Sequence, residues 1–373
     1  MKKLKRIVSI LLCACMLFCV GCSSTKSESS SKTENKDVKV EDLLGRSVDI
    51  QGDVESIICI GPGCLRMVSY MQCVDKVIGV EEEETDKSSI TSACPYRVAY
   101  PELSEKPVIA QGNSGTPVLY NEEIIELDPD VIFTTCGEDV VKQLEEKTDK
   151  TVIALAYNGI FDDNMDKSLE IIGQVLNKED RAEELIAYMN EKEKDLNDRT
   201  KDIKDENKPT VYTGGVSFKG PHGFDGTSAN YAPFNAINAI NVADKTNQKG
   251  AFLVDLEKVL EWNPDYIFLN PQNMNLVNED YSKNKDYYES LDAVKDGNIY
   301  SQVSYNWYTT NVEIGIIDAY YAGTVIYPEQ FSDVNIEDTA NEITKFMLGK
   351  EMYDNFVDDG LSFDKITIGE KNK

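Results

Sequence analysis

The sequence predicts an α/β protein of two similar lobes. Each is a central, mostly parallel sheet flanked by helices, and one long α-helix joins the two. Three observations predict this. The phrase IIELDPDVIF at residues 124–133 returns as VLEWNPDYIF at 259–268. Strand-like and helix-like runs alternate in both halves of the chain. Between the halves, EDRAEELIAYMNEKEKDLNDRTKDI (179–203) runs without Gly or Pro. Each copy of the phrase is an apolar helical run, an acidic or amide residue, a Pro-Asp pair and a short β-branched and aromatic strand. Proline lacks an N–H and restricts its predecessor, so each helix must stop before it. The same helix-to-strand step at matching places in two α/β halves reads as a duplication.

The elements follow in order. GRSVDI and VESIICIG are strand-like, and the latter runs through Pro62-Gly63 into the helical run LRMVSYMQCV and the strand VIGV, a βαβ unit. EEEETDKSS (81–89) and the Pro-, Tyr- and Gly-rich stretch 94–117 read as loops, with the EEEE run a solvated surface. NEEIIEL, VIFTT, KQLEEKT and TVIALAY alternate helix and strand. SLEIIGQVL precedes the long connector, where Ala182, Leu185, Met189 and Leu196 share one helical face. Beyond KDENKP come the strand VYTGGV, the helical APFNAINAINVA, the helix LEKVLEW and the strand YIFLN. NIYSQV is a strand, and NVEIGIIDAYYAGTVIY a long apolar helix. The divisions expected are a signal segment 1–21, a tether 22–37, a first lobe 38–165, a connecting segment 166–207 and a second lobe 208–373.

Lys2, Lys3, Lys5 and Arg6 precede an uncharged run, Ile7 to Val20, that is too short to span a bilayer of ~30 Å. The run ends in Val20-Gly21-Cys22-Ser23-Ser24, which resembles a bacterial lipobox cleaved before Cys22, with Cys19 where Leu is usual. The Ser- and Lys-rich SSTKSESSSKTENK then forms a polar tether. The expectation is a lipid anchor on Cys22 at the extracytoplasmic face of the cell membrane.

The whole chain carries 38 basic and 66 acidic residues, a net charge of −28. Loss of residues 1–21 removes four positive charges and leaves 34 against 66, near −32. Such a field disfavours nucleic acid and anionic surfaces. Cys59, Cys64, Cys73, Cys94 and Cys136 are odd in number and lack CxxC spacing, which argues against a disulfide framework or zinc site. Cys59 and Cys73 fit small buried hydrophobes. No HExxH, GxSxG, Walker loop or GxGxxG is present, so an enzyme is not expected, nor a resident cofactor.

With its lipid anchor, tether, paired lobes and single connecting helix, the chain resembles the substrate-binding lipoproteins of ABC importers. It is most similar to the helix-hinged class that captures ferric siderophores, haem and cobalamin. DLLGRSVDI with ESIICIGPG, the ELDPDVIF and EWNPDYIF pair, and LDAVKDGNIY carry the resemblance; VYTGGVSFKGPHGFDG, SYNWYTTN and DAYYAGTVIYPEQF suggest the iron-complex subgroup. The resemblance implies a monomer that captures an iron complex and delivers it to an ABC permease dimer with its ATPase. A siderophore, haem, a corrinoid and a simpler chelate stay open as ligands, as does a bare metal ion.

The family's cleft lies at the C-terminal ends of the strands, as in open α/β sheets generally. The loops so placed hold Tyr96, Arg97, Tyr157, His222, Tyr231, Tyr305, Trp307 and Tyr308. Aromatic rings offer flat apolar surface with a polar handle, suited to a planar or catecholate complex. His222, the sole histidine, is either a metal ligand or a hydrogen-bonding loop residue. Arg97 fits an anionic ligand group or a surface salt bridge. Glu122 and Glu257 each stand seven residues before a repeated proline. Near a helix start, a carboxylate suits the dipole; in the resembled family, one glutamate per lobe at this place docks on permease arginines.

Overall fold

The computed structural model describes residues 37–87, 91–112 and 116–370. Cys22, the signal segment and the tether through residue 36 lie outside the described residues.

Val38–Glu41 (β1) pairs antiparallel with Ser47–Ile50 (β2). The first lobe then runs Ile57–Ile60 (β3), Cys64–Tyr70 (α1), Val77–Glu81 (β4), Glu82–Thr85 (α2), Pro95–Ala99 (α3), Val108–Gln111 (β5) and Val118–Leu119 (β6). It continues through Asn121–Leu127 (α4), Val131–Thr134 (β7), Glu138–Thr148 (α5) and Thr151–Ala154 (β8). The strands form one sheet in the order β6-β5-β4-β3-β7-β8, parallel except for β6. Every residue of β3 and β7 is buried, as befits strands covered on both faces.

Asp163–Leu176 (α6) is capped by the Asp162 carboxylate, which accepts the Asn164 N–H. It turns through Asn177, at φ 53°, into Glu179–Thr200 (α7). These 22 residues make a rod of roughly 33 Å. Ala182, Leu185, Met189 and Leu196 are all buried, the face their spacing predicts.

The second lobe comprises Thr210–Gly214 (β9), Gly226–Ala229 (β10), Ala232–Ala236 (α8), Ile240–Asn241 (β11), Gly250–Leu253 (β12) and Leu256–Trp262 (α9). Tyr266–Leu269 (β13), Met274–Lys283 (α10), Lys285–Tyr288 (α11), Asp292–Lys295 (α12), Ile299–Ser301 (β14) and Val312–Ile326 (α13) complete it. Its parallel sheet has the order β11-β9-β13-β14, with β10 and β12 a separate antiparallel pair. That order repeats β4-β3-β7-β8 of the first lobe, strand for strand.

The doubled phrase occupies the same joint in each lobe. Asp128 and Asn263 end α4 and α9 in the left-handed conformation, at φ 52° and 43°, where a short polar side chain is tolerated. Asp130 Oδ2 then accepts the N–H groups of Glu55 and Ser56 and the Ser56 hydroxyl, at 2.8–3.0 Å. Asp265 Oδ2 accepts the N–H and hydroxyl of Thr210 at 2.7 and 2.8 Å. Each aspartate pins the start of the strand beside its own.

Three local expectations are corrected. Residues 94–117, read as loops, contain α3 and β5. Residues 232–243, read as one helix, stop at α8, because Asn238 adopts φ 52° and the Ala239 N–H returns to the Phe234 carbonyl. The EEEE run is not all solvated surface, since Glu81 and Glu84 are each only 3% exposed. β4 extends through Glu81, and the α2 turn that follows directs Glu84 inward as well.

Past residue 330 the chain turns back. Ile336–Leu348 (α14) and Tyr353–Asp358 (α15) follow α13. The Leu348 carbonyl accepts from Tyr100 Oη at 2.9 Å, and the Phe346 carbonyl from Arg181 Nη2 at 2.6 Å. Residues expected to end the second lobe thus bond to the end of α3 in the first lobe and to the connecting helix α7. Among the described residues no helix is long and apolar enough to cross a membrane.

Candidate functional site

In each sheet the chain leaves the first central strand to one side and later returns on the other, which places a topological switch point at β3/β7 and at β9/β13. Open α/β sheets bind ligands at such points, outside the carboxyl ends of the strands. The two points here meet through the loop 305–311 after β14.

That loop docks on the first lobe through Arg66, a fully buried residue of α1. Arg66 Nη1 donates to the Tyr157 hydroxyl at 2.7 Å and to the carbonyls of Tyr308 and Thr310 at 3.0 and 3.2 Å. Its Nη2 donates to the Trp307 carbonyl at 3.0 Å. Tyr157 Oη in turn donates to the Thr310 carbonyl at 2.9 Å. Tyr308 and Thr309 both stand at positive φ, 53° and 67°, a strained pair for residues with side chains. The carbonyls so presented explain how the strain is held. Gly63, at φ 79°, makes room: a Cβ there would collide with Tyr157 and Thr309.

Carboxylates surround this joint. Glu81, at the end of β4, accepts the Gly61 N–H at 3.0 Å and the Tyr308 hydroxyl at 2.6 Å. Burial pushes Glu81 up to about 7, against the opposing pull of those two donors. Glu313 accepts from Tyr70, whose hydroxyl also receives the Val312 N–H at 3.1 Å. Burial holds Glu313 and Glu84 above the usual carboxylate range, and the nearby Arg66 charge partly offsets it.

At the second switch point a small cavity of about 20 Å³ lies between Thr213, Val216, Asn270, Gln302, Tyr305 and Asn306. Among the described residues Asn270 Nδ2 and both amide atoms of Gln302 are buried without partners. Buried polar groups are nearly always satisfied, so these three atoms mark a place for something polar. A separate groove of about 570 Å³ opens between the loop 158–161, α7 and α8. It is roomier, but among the described residues no unpartnered buried side-chain atom lines it. The switch-point cavity is therefore the better candidate.

The eight residues expected at the cleft divide sharply. Tyr157, Trp307 and Tyr308 converge at the Arg66 joint, and Tyr305 and Tyr231 both line the cavity, their rings tilted at 5.4 Å. Trp307 is 40% exposed. Tyr96 and Arg97 are instead buried on Glu84: Tyr96 donates to it through its hydroxyl, and Arg97 Nε lies 3.2 Å away. Arg97 therefore makes a salt bridge, but a buried one rather than the surface pair expected. The His222 ring lies tilted against that of Phe218 at 4.2 Å, with Nε2 2.9 Å from the Phe218 carbonyl, which is the hydrogen-bonding loop role. Burial pushes the hydroxyls of Tyr157 and Tyr305 up to about 12, so they stand as neutral phenols. Glu122 and Glu257 are both exposed.

The periplasmic binding protein family profile matches residues 67–304. The chain belongs to the periplasmic binding protein family. The molybdate-binding protein MolA of Haemophilus influenzae is 22% identical over 359 residues, 89% of this chain and 94% of that protein. The Fe(3+)-citrate-binding protein YfmC of Bacillus subtilis is 25% identical over 315 residues, 82% of this chain and 91% of that one. A solved periplasmic solute binding protein from Veillonella parvula has the same fold, with a TM-score of 0.69 at 20% identity, covering 87% of this chain and 96% of its own.

In this periplasmic binding protein the sequence reading missed the residue that organises the joint. Arg66 is the one cation in the apolar run CLRMVSYM, and a lone charge on a buried helix was the available signal. Glu313 and Asp318 interrupt the apolar helix α13 in the same way, and both are fully buried. Gln302 and Asn270 gave no signal, since amides at strand ends are common. Among the described residues no three His, Cys, Asp or Glu side chains converge to hold a metal ion. All five cysteines after Cys22 are free and buried, including Cys59 and Cys73 as expected.

Proposed function

We propose that this protein is the extracytoplasmic receptor of an ABC importer. It captures an iron complex, siderophore-like or a tetrapyrrole chelate, and delivers it to a paired permease with its ATPase, tethered through a lipid on Cys22. The observation that carries the ligand reading is the exposed Trp307, next in the chain to Asn306, which lines the cavity with Asn270 and Gln302 and their unpartnered amides. A flat apolar surface next to unsatisfied polar groups suits a chelate that brings its own coordination shell. The relatives named for Fe(3+)-citrate and petrobactin binding support the same class.

One observation favours a second reading, a small oxyanion. The cavity holds little more than one water-sized group, and a relative is named for molybdate. Trp307 reports on both readings. Quenching of its fluorescence by ferric citrate, a ferric catecholate, haem or cobalamin supports the chelate reading; quenching by molybdate alone replaces it with the oxyanion, and silence towards all five refutes both. For the anchor, Cys22→Ala is expected to release the protein into the medium, and retention on the membrane would refute it.

A further inference from the structure

Tyr308 reaches across the joint between the lobes. Its hydroxyl leaves the loop 305–311 and donates at 2.6 Å to Glu81, at the end of β4 and 227 residues earlier. The Gly61 N–H donates to the same carboxyl at 3.0 Å. Both donors fall on one oxygen, Oε2. The other, Oε1, is buried and without a partner among the described residues. That pattern suits a neutral acid, whose carbonyl oxygen takes both donors while its second oxygen carries the proton. An ionised carboxylate would leave half its charge on an atom that nothing solvates, which costs far more than an unpaired hydroxyl.

The surroundings favour the same form. Glu84 and Glu83 of α2 face Glu81 with charge of its own sign. The two neighbouring guanidinium groups are engaged elsewhere, Arg97 on Glu84 and Arg66 on the carbonyls of the loop 305–311. The thiols of Cys64 in α1 and Cys136 after β7 also face Glu81, and burial raises both, so they stay neutral. Burial and Glu81 itself push the Tyr308 hydroxyl up, which keeps it a donor. Tyr308 also follows the exposed Trp307 directly. With φ of 53° and 67°, Tyr308 and Thr309 are a strained pair, and such backbone persists only while its surroundings hold it. Releasing the Tyr308 hydroxyl lets the pair relax, and Trp307 moves with it.

We propose that Glu81 is a positioning residue for ligand capture. As the neutral acid it clasps Tyr308 and sets Trp307 at the site. On losing its proton to solvent it draws in water, the clasp loosens and capture weakens. The proposal rests on the reading of Trp307 as ligand surface and adds a proton to the binding equilibrium. Linkage is reciprocal, so a ligand that closes the clasp also tightens the hold of Glu81 on its proton. Capture is strongest at acid pH and fades as pH climbs through about 7.

The test compares wild type, Glu81→Gln and Tyr308→Phe, each carrying Trp262→Phe so that Trp307 alone reports. Glutamine copies the neutral acid, and phenylalanine keeps the half-buried ring of Tyr308 without its hydroxyl. In the ligand-free chain, wild-type Trp307 emission is expected to shift to the red between pH 6 and 8, with its midpoint near 7. Both variants should lose that step, Glu81→Gln holding the acid-side emission and Tyr308→Phe the alkaline one. Quenching by ferric citrate is then titrated at each pH, the same solutions serving all three chains so that changes in the chelate cancel. The affinity of Glu81→Gln relative to wild type should grow about 10-fold from pH 6 to pH 8. A constant ratio overturns the proposal, whether or not the emission steps. If ferric citrate quenches no chain, that ligand is excluded and the ligand-free emission decides alone. A wild-type step that Glu81→Gln abolishes then sustains the clasp; no step, or one that Glu81→Gln shares, overturns it.

Discussion

The guanidinium of Arg66, near the start of the first parallel sheet, donates to the carbonyl of Trp307, 241 residues later, at 3.0 Å. Asn311 Nδ2 donates to the same carbonyl at 3.1 Å. The backbone of the exposed tryptophan is thus held by a side chain from each lobe.

Replacing Arg66 with Met should be costly. It leaves the carbonyls of Trp307, Tyr308 and Thr310 short of a buried donor, and each lost bond costs about 1–3 kcal/mol. A destabilisation of about 3 kcal/mol or more is expected in urea unfolding, with a shifted Trp emission in the native baseline. Arg66→Lys, which keeps the charge but not the planar fork, should lose less. An unfolding midpoint unchanged by Arg66→Met would show that the loop holds itself.

Trp307 and Tyr305 should behave differently when changed to Ala. Trp307→Ala removes a side chain that is 40% exposed, so capture is expected to weaken about 30-fold with the fold intact. Tyr305 is buried on Tyr231, and its loss should cost on the order of 3 kcal/mol of stability as well. Thermal melts beside ligand titrations separate the two. Equal melting temperatures for both variants would contradict the assigned burial.

Stability should rise as pH falls from 8 to 5. Glu81 titrates near 7 in the folded chain because burial disfavours its charge, so the fold holds a proton that the unfolded chain releases. Its contribution is complete below the ordinary carboxylate pKa and is lost as pH climbs through about 7. The swing is on the order of 3 kcal/mol. Glu84, Glu313 and Asp318 are raised by burial too and act with the same sign. Glu81→Gln should be more stable than wild type at pH 8 and flatten the profile. A wild-type melting temperature that falls between pH 8 and 5 would sink the argument.

The two repeat aspartates should prove equivalent in kind. Asp130→Ala removes three hydrogen bonds and Asp265→Ala two. Losses of about 1–2 kcal/mol each are expected, larger for Asp130 and roughly additive because the sites are in different sheets. For Asp130 those donors outweigh its partial burial and hold the carboxyl below the usual range. The stability it adds is present above the ordinary carboxylate pKa and fades as pH drops through the folded value. Chemical denaturation of the two variants and their double checks both size and additivity.

What the sequence by itself determined was everything carried by local rules. Proline after an acidic or amide residue set the helix-to-strand step, and its recurrence after 135 residues set the two lobes. Apolar spacing on a Gly- and Pro-free run set the joining helix. Only the tertiary structure decided what the side chains at the joint do. Tyr96 and Arg97 lie in a predicted cleft loop by sequence, yet they pack on Glu84 because the α2 turn brings that carboxylate inside. Arg66 reads as a stray charge until the chain returns with three carbonyls more than 240 residues later. A buried polar group takes whichever partner the completed fold delivers, and no local spacing encodes that choice.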